Sequence, residues 1–286
     1  MRLPDNPDKA ARIQRMGAET LDGTRRQGWF IPYRYADQTP PPPRSYPALM
    51  PWFQASHDMF SDVIARMEHY AEALHGFDGT TPPLPRWQQD WFPRADGAAA
   101  YTLVRDLQPR QIMEVGSGHS TRFMARAVLD AGLDCQITCI DPAPRADIAG
   151  LAPVSLHQSI VQDLPPADLP QLEAGDILFI DSSHISMPGS DVDHLFLSII
   201  PSLPAGAILQ VHDICLPLGY PESWEWRGYN EHAALAPLIH GGGWELIWAS
   251  HYVINCAEEL WSSSILADLH CPDGSFETSL WLRKLG

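Results

Sequence analysis

From residue 96 onward the chain alternates short apolar runs with segments whose apolar residues recur every three or four positions. The runs QIMEV, QITCI, VSLHQSIV, DILFI, AILQV and WELIWASHYV are rich in Val, Ile and Leu, as buried strands are. SLWLRK near residue 280 supplies a seventh candidate. Between them lie helical patterns. DGAAAYTLVRDL precedes the first strand, and Ser120 to Ala131 follows it, with Gly132 placed to end the helix. SDVDHLFLSIIPSL carries Val192, Leu195, Phe196, Ile199 and Ile200 on one face behind Ser190 as N-cap. NEHAALAPLIH contains Pro237, which must bend or shorten it. Strands that alternate with helices need crossover connections, and these build a parallel sheet covered on both faces. The fold expected is α/β, doubly wound.

Residues 1–94 follow another grammar. Pro40 to Pro43 form a stiff polyproline spacer. Phe53, Phe60, Ile64, Met67, Ala71 and Leu74 then recur at helical spacing, as a packing face does. A connector rich in proline and tryptophan, TTPPLPRWQQDWFPR, ends at Arg94. The division expected is a helical and irregular lead-in or cap over 1–94 and a core over 95–286.

Composition narrows the partners. With 19 basic against 35 acidic residues the formal net charge is −16, and no basic run exceeds Arg25-Arg26. Nucleic acid and anionic membrane are therefore not expected partners, and a small molecule is. The N-terminal stretch lacks the apolar region of a secretory signal, and no apolar run is long enough to span a bilayer. The five cysteines are odd in number and form no C-x-x-C pair. Reduced, structural cysteines in a cytoplasmic protein are expected.

In a doubly wound sheet ligands bind at the carboxyl ends of the strands, beside the first strand. There the sequence reads Glu114-Val115-Gly116-Ser117-Gly118-His119-Ser120-Thr121. Glycines at 116 and 118 permit a tight turn and a close approach of backbone to ligand. Asp141, at the end of the next strand, is placed to accept both ribose hydroxyls of an adenosine. Two cofactors suit this arrangement. A dinucleotide site prefers a third glycine, where Thr121 stands, and Glu114 is awkward beside a pyrophosphate. The same carboxylate is welcome beside a sulfonium and an ammonium group, so the charge favours S-adenosylmethionine (SAM) over NAD.

EVGSGHST, CIDP, FIDSSH and GAILQVHDI resemble the class I SAM-dependent methyltransferases over about residues 96–286. The resemblance is closest to the bacterial small-molecule branch that includes sugar and macrolide O-methyltransferases. It implies a Rossmann-like, mostly parallel, seven-stranded sheet whose last strand inserts antiparallel, with the lead-in as a variable cap. It further implies that Glu114, Gly116, Ser117 and Gly118 border the methionine end of SAM, that Asp141 holds the ribose, and that Asp163 lies near the adenine.

Methyl transfer is an in-line displacement at a carbon already activated by positive sulfur. The protein must align the nucleophile and, for a hydroxyl acceptor, help remove its proton. Asp181-Ser182-Ser183-His184 ends the fourth strand and His212-Asp213 the fifth. One reading makes His184 or His212 a general base. Another makes Asp181 and Asp213, with or without a histidine, ligands of Mg²⁺, which lowers the pKa of the acceptor oxygen. The resemblance supports the second, because related sugar O-methyltransferases are metal-dependent. Asp191 and Asp193 sit where acids favour a helix N-terminus, and His251 is read as a core histidine in the sixth strand. Trp87, Trp91, Trp224, Trp226 and Tyr229 suit either an apolar wall over the pocket or a seam between lead-in and core. Arg227 and Arg86 are candidates to pair with a substrate carboxylate. The activity expected is SAM-dependent methylation of a small polar molecule, at oxygen. The alternatives are another SAM reaction on the same fold, cyclisation or aminocarboxypropyl transfer, a SAM-binding protein without turnover, or a nicotinamide oxidoreductase.

Overall fold

The computed structural model describes residues 3–144, 146–148 and 150–286. Along the chain come α1 (Pro7–Leu21), α2 (His57–His69), α3 (Arg94–Leu107), β1 (Gln111–Val115), α4 (His119–Ala131), β2 (Gln136–Ile140), β3 (Val154–His157), β4 (Ile177–Ile180), β5 (Ile208–Val211), α5 (His232–His240), β6 (Trp244–Ala249), α6 (Ser250–Cys256) and β7 (Leu280–Lys284), with short helical turns between several of them. The seven strands form one sheet in the order β3-β2-β1-β4-β5-β7-β6. Only β7 runs antiparallel to its neighbours, pairing Leu209 with Leu282 on one side and Leu246 with Leu282 on the other. The doubly wound, seven-stranded expectation holds, including the antiparallel insertion.

Central strands lined by apolar residues on both faces explain the layering. Every residue of β4 and β5 is buried, Gln210 included, whose Nε2 donates to Ser279 Oγ at 3.1 Å. Gly132 ends α4 in the left-handed conformation, and Ser190 Oγ accepts from Asp193 N to cap the helix that opens at Asp191. Pro237 lies inside α5, whose run is only nine residues.

The stripe from Phe53 to Leu74 joins this core. Phe53 packs 5.3 Å from Tyr252, and Phe60 meets Trp248 edge-on at 6.0 Å. Burying several such rings ties the helical part of the lead-in to β6 and α6. By contrast α1 has no buried residue. The expected sixth strand is shorter than its apolar run: Ala249 ends β6 and the next seven residues turn into α6. His251 therefore lies on a helix, buried, with Nδ1 3.2 Å from the carbonyl of Glu277.

Candidate active site

Strand order reverses beside β1, between β1 and β4, and a cleft of about 1100 Å³ opens there at the carboxyl ends of the strands. Its floor is the glycine turn. Gly116 has φ +94°, and a Cβ built there would lie 2.2 Å from the carbonyl oxygen of Asp181. No side chain fits between β1 and β4 at that point. Gly118 differs, for the nearest atom to an added Cβ is that of Ala146 at 4.0 Å, so it faces open space.

Glu114 does not border the cleft. It is fully buried beneath the turn, accepting from Ser120 Oγ at 2.6 Å, Thr121 Oγ1 at 2.7 Å and Cys139 Sγ at 3.1 Å. Thr121 Oγ1 in turn accepts from the Gly118 amide at 2.9 Å. The carboxylate thus anchors the first turn of α4 to β1, which corrects the expectation that it meets the ligand. Burial raises its pKa to about 7, against the three hydrogen bonds. Asp141 does face the cleft, with Oδ2 accepting from Ser117 Oγ at 2.8 Å and Oδ1 from the Ala143 amide at 2.8 Å. Asp163 is exposed and outside the cleft lining. It is the last residue of a tight turn, Val161–Asp163, whose earlier members, with Ile160, line the cleft instead.

Opposite the glycine turn the ends of β4 and β5 bring Asp181, His184, His212 and Asp213 together. His184 Nε2 lies 3.3 Å from Asp181 Oδ1 and 3.5 Å from Asp213 Oδ2. His212 Nδ1 lies 3.5 Å from Asp181 Oδ1 and 3.7 Å from Asp213 Oδ1. His184 and Asp213 both adopt left-handed backbone, φ 60° and 55°. Such conformations cost about 1–3 kcal/mol each in a non-glycine residue, and persist where the surroundings impose them.

Both imidazoles are held from behind. His184 Nδ1 is 2.9 Å from Glu231 Oε2, and His212 Nε2 is 3.2 Å from Asp96 Oδ2. Asp96, in the first turn of α3, also accepts from the amides of Thr278 and Ser279 just before β7. Burial alone would lower the pKa of both rings; the facing carboxylates of Asp181, Glu231, Asp96 and Asp213 outweigh it and raise both well above the ordinary value. Burial likewise opposes ionisation of Asp181, but His212 and His184 overcome it and its pKa is lowered. The pocket is built to stabilise positive charge at its centre.

Asp181, His212 and Asp213 each offer one donor atom, all within 4.8 Å of one another. Two carboxylates and an imidazole beside an open cleft are a suitable donor set for a divalent cation, with further positions left for oxygen ligands. Asp191 is occupied elsewhere, accepting from the Ser183 amide at 2.9 Å and from its hydroxyl. Asp96, Glu231 and Thr278 are the members of this constellation that the sequence does not announce. The aromatic loop after β5 places Trp224, Trp226 and Tyr229 on the cleft, so these rings line it as a wall. Trp87 is instead buried against Phe123 at 4.9 Å, in the seam with the lead-in.

The strand order with its antiparallel β7, the glycine turn and this polar cluster define a Rossmann-like core with a ligand cleft at its switch point. Residues 113–214, from within β1 to just past β5, match the model of a family described as a methyltransferase domain. No curated protein matches the chain significantly. Among solved structures, the SAH-bound methyltransferase PaMTH1 of Podospora anserina is 15% identical, with a TM-score of 0.44, covering 100% of this chain and 99% of that one. The O-methyltransferase TomG of Streptomyces achromogenes, involved in tomaymycin synthesis and in complex with SAM, is 18% identical, with a TM-score of 0.41, covering 77% and 90%. CmcI with Mg and SAM is 16% identical, with a TM-score of 0.43, covering 68% and 73%. Among the described residues no helix is long and apolar enough to cross a membrane, and all five cysteines are free.

Proposed function

We propose that this protein transfers the methyl group of SAM to a hydroxyl of a small polar molecule, in the cytoplasm. The observation that carries the reading is the juxtaposition, across one cleft, of the Gly116–Asp141 cradle and the Asp181–His212–Asp213 cluster. The open space at Gly118 belongs to the ligand, since nothing in the protein requires a glycine there. Asp141 keeps a lone pair on each oxygen for the ribose hydroxyls while Ser117 and the Ala143 amide hold its orientation. Glu114 acts at one remove, by fixing the turn.

The acceptor lies at the ends of β4 and β5. Asp181, His212 and Asp213 would hold a divalent cation, Mg²⁺ being the hard-ligand choice. When bound, the cation would supply Lewis acidity that lowers the pKa of the acceptor hydroxyl. His184 and Glu231 orient Asp181 and Asp213 from behind, and Asp96 fixes the His212 ring. The rings of Trp224, Trp226 and Tyr229 exclude water from the reacting carbon.

Calorimetric titration with S-adenosylhomocysteine (SAH), with NAD as control, tests the cofactor; micromolar binding of SAH alone is expected. Mass analysis of acceptors incubated with SAM, with and without Mg²⁺ and EDTA, tests the reaction. Methylthioadenosine without a methylated acceptor would overturn methyl transfer in favour of cyclisation. Turnover unaffected by EDTA and Mg²⁺ would assign proton removal to the protein's own groups.

A further inference from the structure

α1 sits at the mouth of the cleft without burying a single residue, yet it contributes Lys9 and Arg12 to the cleft lining. Asn6 holds its start, its Oδ1 accepting from the Asp8 and Lys9 amides at 3.0 and 3.1 Å. Residues three apart share one side of a helix, so both cations face the same way. Lys9 Nζ stands 5.6 Å from the ring centre of Trp226. Neither cation forms an ion pair with a described residue.

Of the acids that line the cleft, Asp90 is exposed and Asp141 is held by Ser117 and the Ala143 amide, while the others are matched. Asp181 faces His184 and His212, and Asp191 is taken by Ser183. Asp213 lies 3.5 Å from Arg227, whose guanidinium is 4.2 Å from the Trp224 ring. In a chain of net charge −16, two unmatched cations converging on an active-site cleft are an anion-receiving feature. The glycine turn and Asp141, which cradle the cofactor, belong to β1 and β2, whereas Trp226 follows β5 on the acceptor side.

Resting on the methyl-transfer reading above, we propose that the acceptor is a hydroxylated acid. Lys9 and Arg12 receive its carboxylate or phosphate at the mouth of the cleft, and its hydroxyl lies at the Asp181–Asp213 cluster. The helix serves as an acceptor-recognition element that needs no packing core of its own.

The experiment is binding to SAH-loaded protein of two matched pairs: 3,4-dihydroxybenzoate against catechol, and glucose 6-phosphate against glucose. At least one acid is expected to bind at least tenfold more tightly than its neutral partner; which pair discriminates tells carboxylate from phosphate. In K9Q/R12Q that ratio falls to within about twofold, while SAH affinity and the melting temperature stay unchanged. The proposal is overturned if neither acid is preferred, or if the preference survives the substitutions. It is overturned also if K9Q/R12Q weakens SAH and leaves the acid preference intact, for then the cations serve the carboxylate of the cofactor. Failure of the wild type to bind SAH at all sinks the methyl-transfer reading itself, and this inference with it.

Discussion

Glu114 is buried with three donors around it, and its pKa is raised from 4.5 to about 7 by that burial. A carboxyl whose folded pKa lies above its unfolded one contributes stability fully below the unfolded value. That contribution is lost as pH rises through the folded value. Relative to E114Q, the wild type is therefore expected to lose on the order of 3 kcal/mol between pH 4.5 and pH 8. Urea denaturation of both proteins at several pH values checks this; parallel curves would refute it. The two glycines of the turn make a second contrast. G116A drives a methyl into the Asp181 carbonyl in a left-handed backbone and is expected to cost roughly 3 kcal/mol or more. G118A meets only open space, so its melting temperature should hardly change while SAH affinity falls at least tenfold. At this scale the glycine turn and Asp141 were readable in the sequence because they lie within one strand-helix-strand unit, at the adjacent ends of β1 and β2. Glu114 was readable as significant but not as an anchor, because its partners Ser120, Thr121 and Cys139 are side chains that a spacing rule does not orient. Asp96 lies 116 positions before His212 and carries no local pattern that joins them.

Elements place those residues in turn. α3 begins with two acid-mediated grips on the segment before β7: the Arg94–Glu277 ion pair, with 2.9 and 3.0 Å contacts, and Asp96 on the amides of Thr278 and Ser279. D96N keeps an acceptor for those amides but turns an amide N–H toward His212 Nε2. It is expected to lower kcat at least tenfold while SAH affinity stays within twofold; steady-state kinetics beside calorimetry would show otherwise if both moved together. The periodicity of each element was legible, and so was the sheet, because Val-, Ile- and Leu-rich strands separated by helices leave few topologies. The turn from β6 into α6 was not, since WELIWASHYV carries apolar residues along its whole length and the fit of Tyr252 against Phe53 and Phe60 goes with a helix there.

Across the whole molecule, burial is uneven in a way that separates attachment from recognition. F60A removes a ring packed on Trp248 and Tyr252 and should cost about 3–5 kcal/mol, whereas deleting residues 1–21 should leave the melting temperature within about 2 °C, because α1 buries nothing. Comparing the two melts tests whether the lead-in is one unit or two. The placement of β7 between β5 and β6 has a further bearing. β6 precedes β7 in synthesis but lies beyond it in the sheet, and β7 is its strand neighbour there. A growing polypeptide can assemble β1 to β5 as it leaves the ribosome, yet β6 must wait unpaired until β7 emerges and slips in beside it. The glycine turn and Asp141 can thus be in place before Thr278 and Ser279 bring their amides to Asp96, so the rear support of His212 is the last part of the cleft to be made.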